Sequence, residues 1–229
     1  MYKEAFRAFF IQRVVMDNSV LTENAYNFIL NQILNGEIKP GDRIREDLIA
    51  EQMGTSRTPV REAVNQLSQN GFITYLKRKG LYCVEISKQD LLNLLDLRLV
   101  LEDLSYRRCA ELATEEDIKR MYAYIDTFQS YDKEKRIQLH NQCDIKFHLM
   151  TAEITQSPRL IKYINEVETI LLIARSNLKN YAMINEVIDL SWFLHRDIVK
   201  GIEMKDFDLI SRTNDRHMQL MKETQILSE

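Results

Sequence analysis

Apolar positions along the chain keep a helical rhythm, interrupted once by a short stretch that alternates like strand. Residues 22–35 place Ala25, Phe28, Ile29 and Ile33 near one helical face, and Gly36 supplies a stop. Lys39-Pro40-Gly41-Asp42 is a turn signal. Residues 46–53 form a short amphipathic segment with Leu48, Ile49 and Met53 inward. Gly54-Thr55-Ser56 breaks that segment, and Ser56 is the expected N-cap of a second helix with Val60, Ala63, Val64 and Leu67 inward. Pro59 sits in its first turn, where a missing N–H costs little. Helix, short glycine turn, helix is the helix-turn-helix pattern. Gly71 ends the second helix. Residues 72–76 and 81–86, rich in β-branched and aromatic side chains, then read as two strands around Lys77-Arg78-Lys79-Gly80. They predict a two-stranded wing with a basic tip.

From Ser87 onward the pattern is helical throughout. Ser87 and Asp90 resemble a capping box, and Leu91, Leu94, Leu95, Leu97, Leu101 and Leu104 repeat at helical period. Thr114 caps the next helix, and further helices are expected over 133–155, 158–178, 185–203 and 206–226, with Ser157 as an N-cap. The fold class that follows is mainly α: an N-terminal winged helix-turn-helix plus a C-terminal all-helical bundle. The expected divisions are an N-terminal extension at 1–20, a winged helix-turn-helix at 21–86 and a helical domain at 87–229.

Composition agrees with a helix-rich globular chain: 229 residues, 45% hydrophobic, with few Gly (6) and Pro (3). Cys83, Cys109 and Cys143 are odd in number and form no CxxC pair. They are expected as small core residues in a reducing cytoplasm rather than as a disulfide framework or zinc ribbon. No apolar run approaches the roughly 20 residues of a membrane span, and no signal-peptide pattern stands at residues 1–16. A cytoplasmic protein with no membrane partner is expected.

Charge changes the picture locally. The whole chain carries a formal net charge of -3, so no general attraction to nucleic acid follows. Between Thr55 and Gly80, however, stand Arg57, Arg61, Lys77, Arg78 and Lys79 against Glu62 alone, five cations minus one anion. A helix N-terminus carrying Ser56, Arg57, Thr58 and Arg61 offers backbone N–H groups to phosphate and long donors to base edges. Arg57 and Arg61 are four apart and share a face, and Arg binds guanine in a bidentate manner. A second candidate site lies downstream. Asp144 and His148 are four apart on one helix, and His195 and His217 lie on two later ones. One Asp and three His suit zinc, nickel, manganese or iron, and facing helices of a bundle are a standard place for such a site.

The residues also carry a resemblance. Glu37-Ile38-Lys39-Pro40-Gly41-Asp42-Arg43-Ile44, Leu48 to Gly54, Ser56-Arg57-Thr58-Pro59-Val60-Arg61-Glu62-Ala63, Gly71-Phe72-Ile73 and Lys79-Gly80 resemble the winged helix of the GntR family of bacterial regulators. That implies Arg57, Thr58, Arg61 and Gly80 at DNA. Where relatives often begin the first helix of the motif with a basic residue, this chain has Glu46-Asp47; Arg43 or Arg45 is the expected substitute. After residue 88 the chain is similar to the helical effector (FCD) domain of the FadR-type subgroup, through Arg98 and Glu102, Asp144, Phe147 and His148, then His195 and His217. That resemblance implies a divalent metal ion, zinc or nickel foremost, and a small carboxylate effector bound at it. Arg98 is then the expected effector partner, with Arg175 and Asn177 also facing the cavity. His140 falls outside the pattern and is expected at the surface, and Tyr122 and Tyr163 are expected in core packing rather than in the pocket. The expected protein is a homodimer on a double-stranded, pseudo-palindromic operator, a repressor relieved by effector and not an enzyme. Two rivals remain: a metal-dependent enzyme using the Asp and three His, and an architectural module whose helical half only dimerises.

Overall fold

The computed structural model describes residues 20–176 and 184–226, without the side chains of 173–176, 184–185 and 225–226; all but the last residue of the expected N-terminal extension lies outside them. Nine α-helices and one two-stranded sheet occur among the described residues. The chain divides into two compact units, the first running to Ser87 and taking in, from Thr169, the end of the helix that begins at Pro158, the second comprising the rest from Lys88.

The first unit contains α1 (Val20–Leu34), α2 (Glu46–Gln52), α3 (Arg57–Gln69), β1 (Ile73–Leu76) and β2 (Gly80–Cys83). Its core is made where the helical period predicts it: Ala25, Ile29 and Ile33 on α1 and Val60, Ala63, Val64 and Leu67 on α3 are fully buried. Tyr26 and Leu30 join them, and Phe28 is only partly buried. Leu48 is a correction, being 45% exposed, because the inner face of the two-turn α2 is set by Ile49, Ala50 and Met53. Ser56 stands at the N-cap position of α3 with extended backbone, but its side chain makes no capping bond. The strands are antiparallel and shorter than predicted, pairing Ile73 with Cys83 and Leu76 with Gly80. The Lys39–Asp42 turn feeds a third pairing. Gly41 N donates to Cys83 O, Cys83 N to Asp42 O and Ile44 N to Leu81 O, so residues 41–44 brace β2.

The second unit contains α4 (Lys88–Leu112), α5 (Glu115–Gln129), α6 (Lys133–Ile154), α7 (Pro158–Ser176, to Glu168), α8 (Ile184–Met204) and α9 (Phe207–Ile226). Thr114 starts α5 with a complete capping box: its hydroxyl accepts from Asp117 N at 3.1 Å, and Asp117 Oδ2 accepts from Thr114 N at 3.1 Å. Cys109 packs in the core of this unit and Cys83 in that of the first; Cys143 is partly buried, and all three are free thiols. Phe128 stacks on Trp192 at 4.0 Å between ring centres, and Phe147, Ile198 and Ile202 pack in the same core.

The leucines of α4 correct the sequence reading. Leu91 and Leu95 are buried, Leu94 and Leu101 half-buried, but Leu97 and Leu104 are exposed, as is Val100. The face turned inward instead carries Arg98, Glu102, Ser105 and Tyr106. A polar stripe can face a core when its groups satisfy one another, and periodicity of apolar residues then points the wrong way.

Gly201 lies inside α8, where alanine is ordinarily favoured by about 1 kcal/mol. Here a Cβ would meet Ile210 Cγ1 at 2.8 Å and the backbone N of Ile210 at 3.3 Å. Close approach of α9 wins over propensity. Gly201→Ala is expected to destabilise the chain by about 1–3 kcal/mol, read from urea unfolding; a stabilised variant would show that α9 moves aside freely. Among the described residues no helix is long and apolar enough to cross a membrane.

Candidate functional site

Two groups of side chains stand out, one in each unit. In the first, α3 presents its start to solvent: Ser56, Arg57, Thr58 and Arg61 are all exposed, while Pro59 and Val60 turn inward. The first N–H groups of a helix have no partner within it, and the helix dipole places partial positive charge there. Glu62, the one anion of this stretch, accepts from Thr22 Oγ1 at 2.8 Å. At the wing, Lys77, Arg78 and Lys79 are exposed, and Lys79 N donates to Leu76 O at 2.9 Å to close the turn. Arg78 has φ +65°, a left-handed conformation that costs a residue with a Cβ about 1–2 kcal/mol. Gly80 takes φ +111°, and the Arg43 guanidinium lies 3.5 Å from where a Cβ would stand. Arg43 is therefore beside the wing, whereas Arg45 is held by Asp47 through bonds of 3.1 and 2.8 Å.

In the second unit four of the five contributing helices carry polar residues at a spacing of three or four, the repeat that keeps one face. Arg98, Glu102 and Tyr106 come from α4; His140, Asp144 and His148 from α6; Ser191 and His195 from α8; Asn214 and His217 from α9; and Glu168 from α7. All are buried. The donor atoms of Asp144, His148, His195 and His217 lie within 4.8 Å of one another. Asp144 Oδ1 is 3.5 Å from His148 Nε2 and 3.4 Å from His195 Nε2. Two ligands held tetrahedrally at 2.0–2.1 Å from one ion stand about 3.3–3.4 Å apart, so this spacing fits a metal-ligand set.

His148 and His217 each have one ring nitrogen with a partner and one without. His148 Nδ1 meets Tyr106 Oη at 2.7 Å and Glu102 Oε1 at 2.9 Å, and His217 Nε2 meets Ser191 Oγ at 3.0 Å. His148 Nε2, His217 Nδ1 and both nitrogens of His195 are buried without a hydrogen bond. Phe147 stacks on His195 at 4.4 Å and fixes its ring. Outer-shell bonds of this kind set the tautomer of a ligating histidine and orient it.

Charge gives a second test. Arg98 is fully buried, with Nε 2.7 Å from Glu102 Oε1 and 2.6 Å from Glu168 Oε1, and Nη2 3.5 Å from Asp144 Oδ2. Three carboxylates against one guanidinium leave a formal charge of minus two, which a divalent cation would cancel. Burial pushes His195 well below the usual imidazole range and His217 down to about 3, with neighbouring cationic groups adding to both. His148 differs: burial alone would lower it, but Glu102 foremost and then Asp144 raise it to about 9. A proton on His148 thus answers part of the negative charge that an ion would otherwise answer. Asp144 is held well below the usual carboxylate range, since His148 and Arg98 outweigh its burial.

The sequence-predicted metal residues are thus brought together. Arg98 lies among them, in a buried ion pair with Glu102. Asn177 and the side chain of Arg175 lie outside the described residues. His140 is a correction: it is buried and accepts from Trp192 Nε1 at 3.2 Å, because it sits one helical repeat before Asp144 on the same face. Tyr163 is a correction, being 47% exposed, whereas Tyr122 packs partly buried against the core as expected, with its hydroxyl donating to Glu203 at 3.0 Å. Sequence reasoning missed Glu168, Tyr106 and Ser191. Glu168 was visible as a lone anion on the apolar stripe Ile161, Ile164, Leu171 of α7.

Comparison with known proteins agrees with both halves. Residues 21–83 match the bacterial regulatory proteins of the gntR family, and residues 93–220 match the FCD domain. The Nta operon transcriptional regulator of Aminobacter aminovorans is 30% identical over 139 residues, 60% of this chain and 65% of that one. This match therefore spans just under two thirds of that relative's length. The HTH-type transcriptional repressor RspR of Escherichia coli is 23% identical over 206 residues, 89% of this chain and 88% of that one. Among solved structures, E. coli McbR/YncC superposes with a TM-score of 0.72 at 22% identity, covering 92% of this chain and 99% of that one, which shows a shared fold. Both named relatives are transcriptional regulators, and the enzyme alternative finds no support among them. The chain belongs to the GntR family of bacterial regulatory proteins, with an FCD domain as its helical half.

Proposed function

We propose that the protein is a cytoplasmic transcription regulator that binds an operator as a homodimer through residues 21–86 and answers a small carboxylate through residues 87–229. The observation that carries this reading is the presence, in one chain, of an exposed cationic helix start beside a basic wing and of a buried Asp and three His with inward-facing, unbonded nitrogens. In the DNA half, Arg57 and Arg61 read base edges, Ser56 and Thr58 contact phosphate, and Lys77, Arg78, Lys79 and Gly80 hold the adjacent backbone. The unfavourable φ of Arg78 fits a residue kept for its charge.

In the helical half, Asp144, His148, His195 and His217 hold a divalent ion, zinc or nickel. The ion, when bound, supplies a Lewis-acid docking point for a carboxylate oxygen. Arg98 Nη1 and Nη2 are buried without a hydrogen bond and are the donors left for that carboxylate. A ligand shifts operator affinity only by preferring one state, and couplings of this kind are roughly 5- to 150-fold. Repression relieved by the effector is the arrangement we assign, in keeping with the name of the E. coli relative.

The test is selection of bound duplexes from a random pool, followed by gel shift of the winning sequence with metal-loaded and chelator-treated protein and a panel of small carboxylates. A palindromic winner released by one carboxylate only in the loaded protein is expected. A failure to enrich any sequence would end the reading.

Leu97, Val100 and Leu104, at helical spacing on α4, form an exposed apolar ridge that suits the dimer contact. Val100→Asp is expected to sediment as a monomer at concentrations where the parent is a dimer. A variant that stays dimeric would place the contact elsewhere.

A further inference from the structure

Three carboxylates on three helices surround Arg98, and Glu168 with Glu102 and His148 also makes a second buried group of possible metal ligands. Asp144 belongs to the ligand set, and Glu102 holds His148 Nδ1 at 2.9 Å. Glu168 touches Arg98 Nε at 2.6 Å and is not one of the Asp and three His. It also lies on a different helix, so this pair ties α7 to α4. With a divalent ion in place, the formal charges of the buried set sum to zero: plus two from the ion, plus one from Arg98, minus three from the carboxylates. A further carboxylate entering that balanced, fully buried site would bring an uncompensated negative charge, which is costly away from water.

We propose that Glu168 is a resident carboxylate that balances the charge of Arg98 from its Nε side, where the effector's own charge would otherwise do so, and has to give way before a carboxylate effector binds. Glu168 then sets effector affinity, and its displacement undoes the polar tie between α4 and α7. This inference rests on the reading that the effector is a carboxylate that binds at the metal. Without the charge on Glu168 the set carries plus one, and a monocarboxylate restores balance. Gln at this position keeps the shape and removes the competitor.

The test uses the full chain loaded with cobalt(II), with acetate as the probe and the visible absorption of the bound cobalt as the signal. Glu168→Gln, and Glu168→Ala as a second route to the same loss of charge, are expected to bind acetate at least tenfold more tightly than the parent at unchanged cobalt stoichiometry. Adding Arg98→Met to Glu168→Gln is expected to cancel the gain. Equal acetate affinity in parent and both variants would overturn the role of Glu168 and leave the carboxylate reading standing. Loss of cobalt from Glu168→Gln would make Glu168 a metal ligand, and so would also overturn the proposal. Full cobalt with no acetate response in any of the proteins would refute the carboxylate reading itself, and this inference with it.

Discussion

Replacement of His195 by alanine is expected to strip the divalent ion from the purified protein and to lower its metal affinity by more than about 100-fold. Losing an outer-shell partner of a metal ligand typically costs about 10–100-fold, and a ligand itself, the role proposed for His195, contributes more. Its Nε2 lies 3.4 Å from Asp144 Oδ1, both ring nitrogens are buried without a hydrogen bond, and Phe147 stacks on the ring. Among the described residues neither nitrogen has a hydrogen-bond partner, so their burial is unrewarded unless something binds them. Removing the ring leaves Asp144, His148 and His217, a three-point set with the negative charge still in place. Elemental analysis of the protein as purified checks the occupancy. A thermal melt supplies an independent readout, because a ligand bound only by the folded state raises the melting temperature by mass action. The parent is expected to melt lower after chelation and to recover with zinc or nickel, while His195→Ala ignores both treatments. A full complement of metal in the variant would refute the assignment of His195.

Where local chemistry decided the outcome, the sequence was a good guide. Thr114 and Asp117 close a capping box that needs nothing beyond four consecutive residues, and the Val60, Ala63, Val64, Leu67 face of α3 is buried as its spacing demands. That Asp144, His148, His195 and His217 come together was legible because their residue types are rare and their resemblance specific. What escaped was set by tertiary partners. The leucines of α4 argue for one inward face, yet the helix turns Arg98, Glu102 and Tyr106 inward. Arg98 and Tyr106 both bond Glu102 along the helix, but the remaining partners come from other helices, Glu168 on α7 and Asp144 and His148 on α6. No local pattern on α4 contains that information. His140 illustrates the same limit, since it looks like a surface residue until Trp192, 52 positions later, is seen to donate to it. Ser56 marks the start of α3 correctly without bonding it, so a cap residue in sequence locates a helix end better than it predicts a bond.

The second large effect belongs to the other unit. Replacing Arg57 and Arg61 together by alanine is expected to abolish selective operator binding, each side chain contributing about 1–3 kcal/mol if it reads a base in a bidentate manner. The two lie one turn apart on the same exposed face of α3, so the double variant need not equal the sum of the single ones. The wing separates two kinds of contact. Lys77→Ala or Lys79→Ala removes a charge from an exposed turn and is expected to weaken binding about equally on every sequence. Each should reduce the slope of log affinity against log salt by roughly one. Arg57→Ala and Arg61→Ala should instead narrow the gap between the operator and unrelated DNA. Gel shifts over a salt series on both duplexes measure the two quantities at once. Metal content is the control: residues of the winged unit carry none of the ligand set, so every one of these variants should retain its ion. Undiminished operator affinity in the Arg57→Ala, Arg61→Ala double variant would mean that the start of α3 does not enter the groove, and the cationic face would then be an ordinary solvated surface.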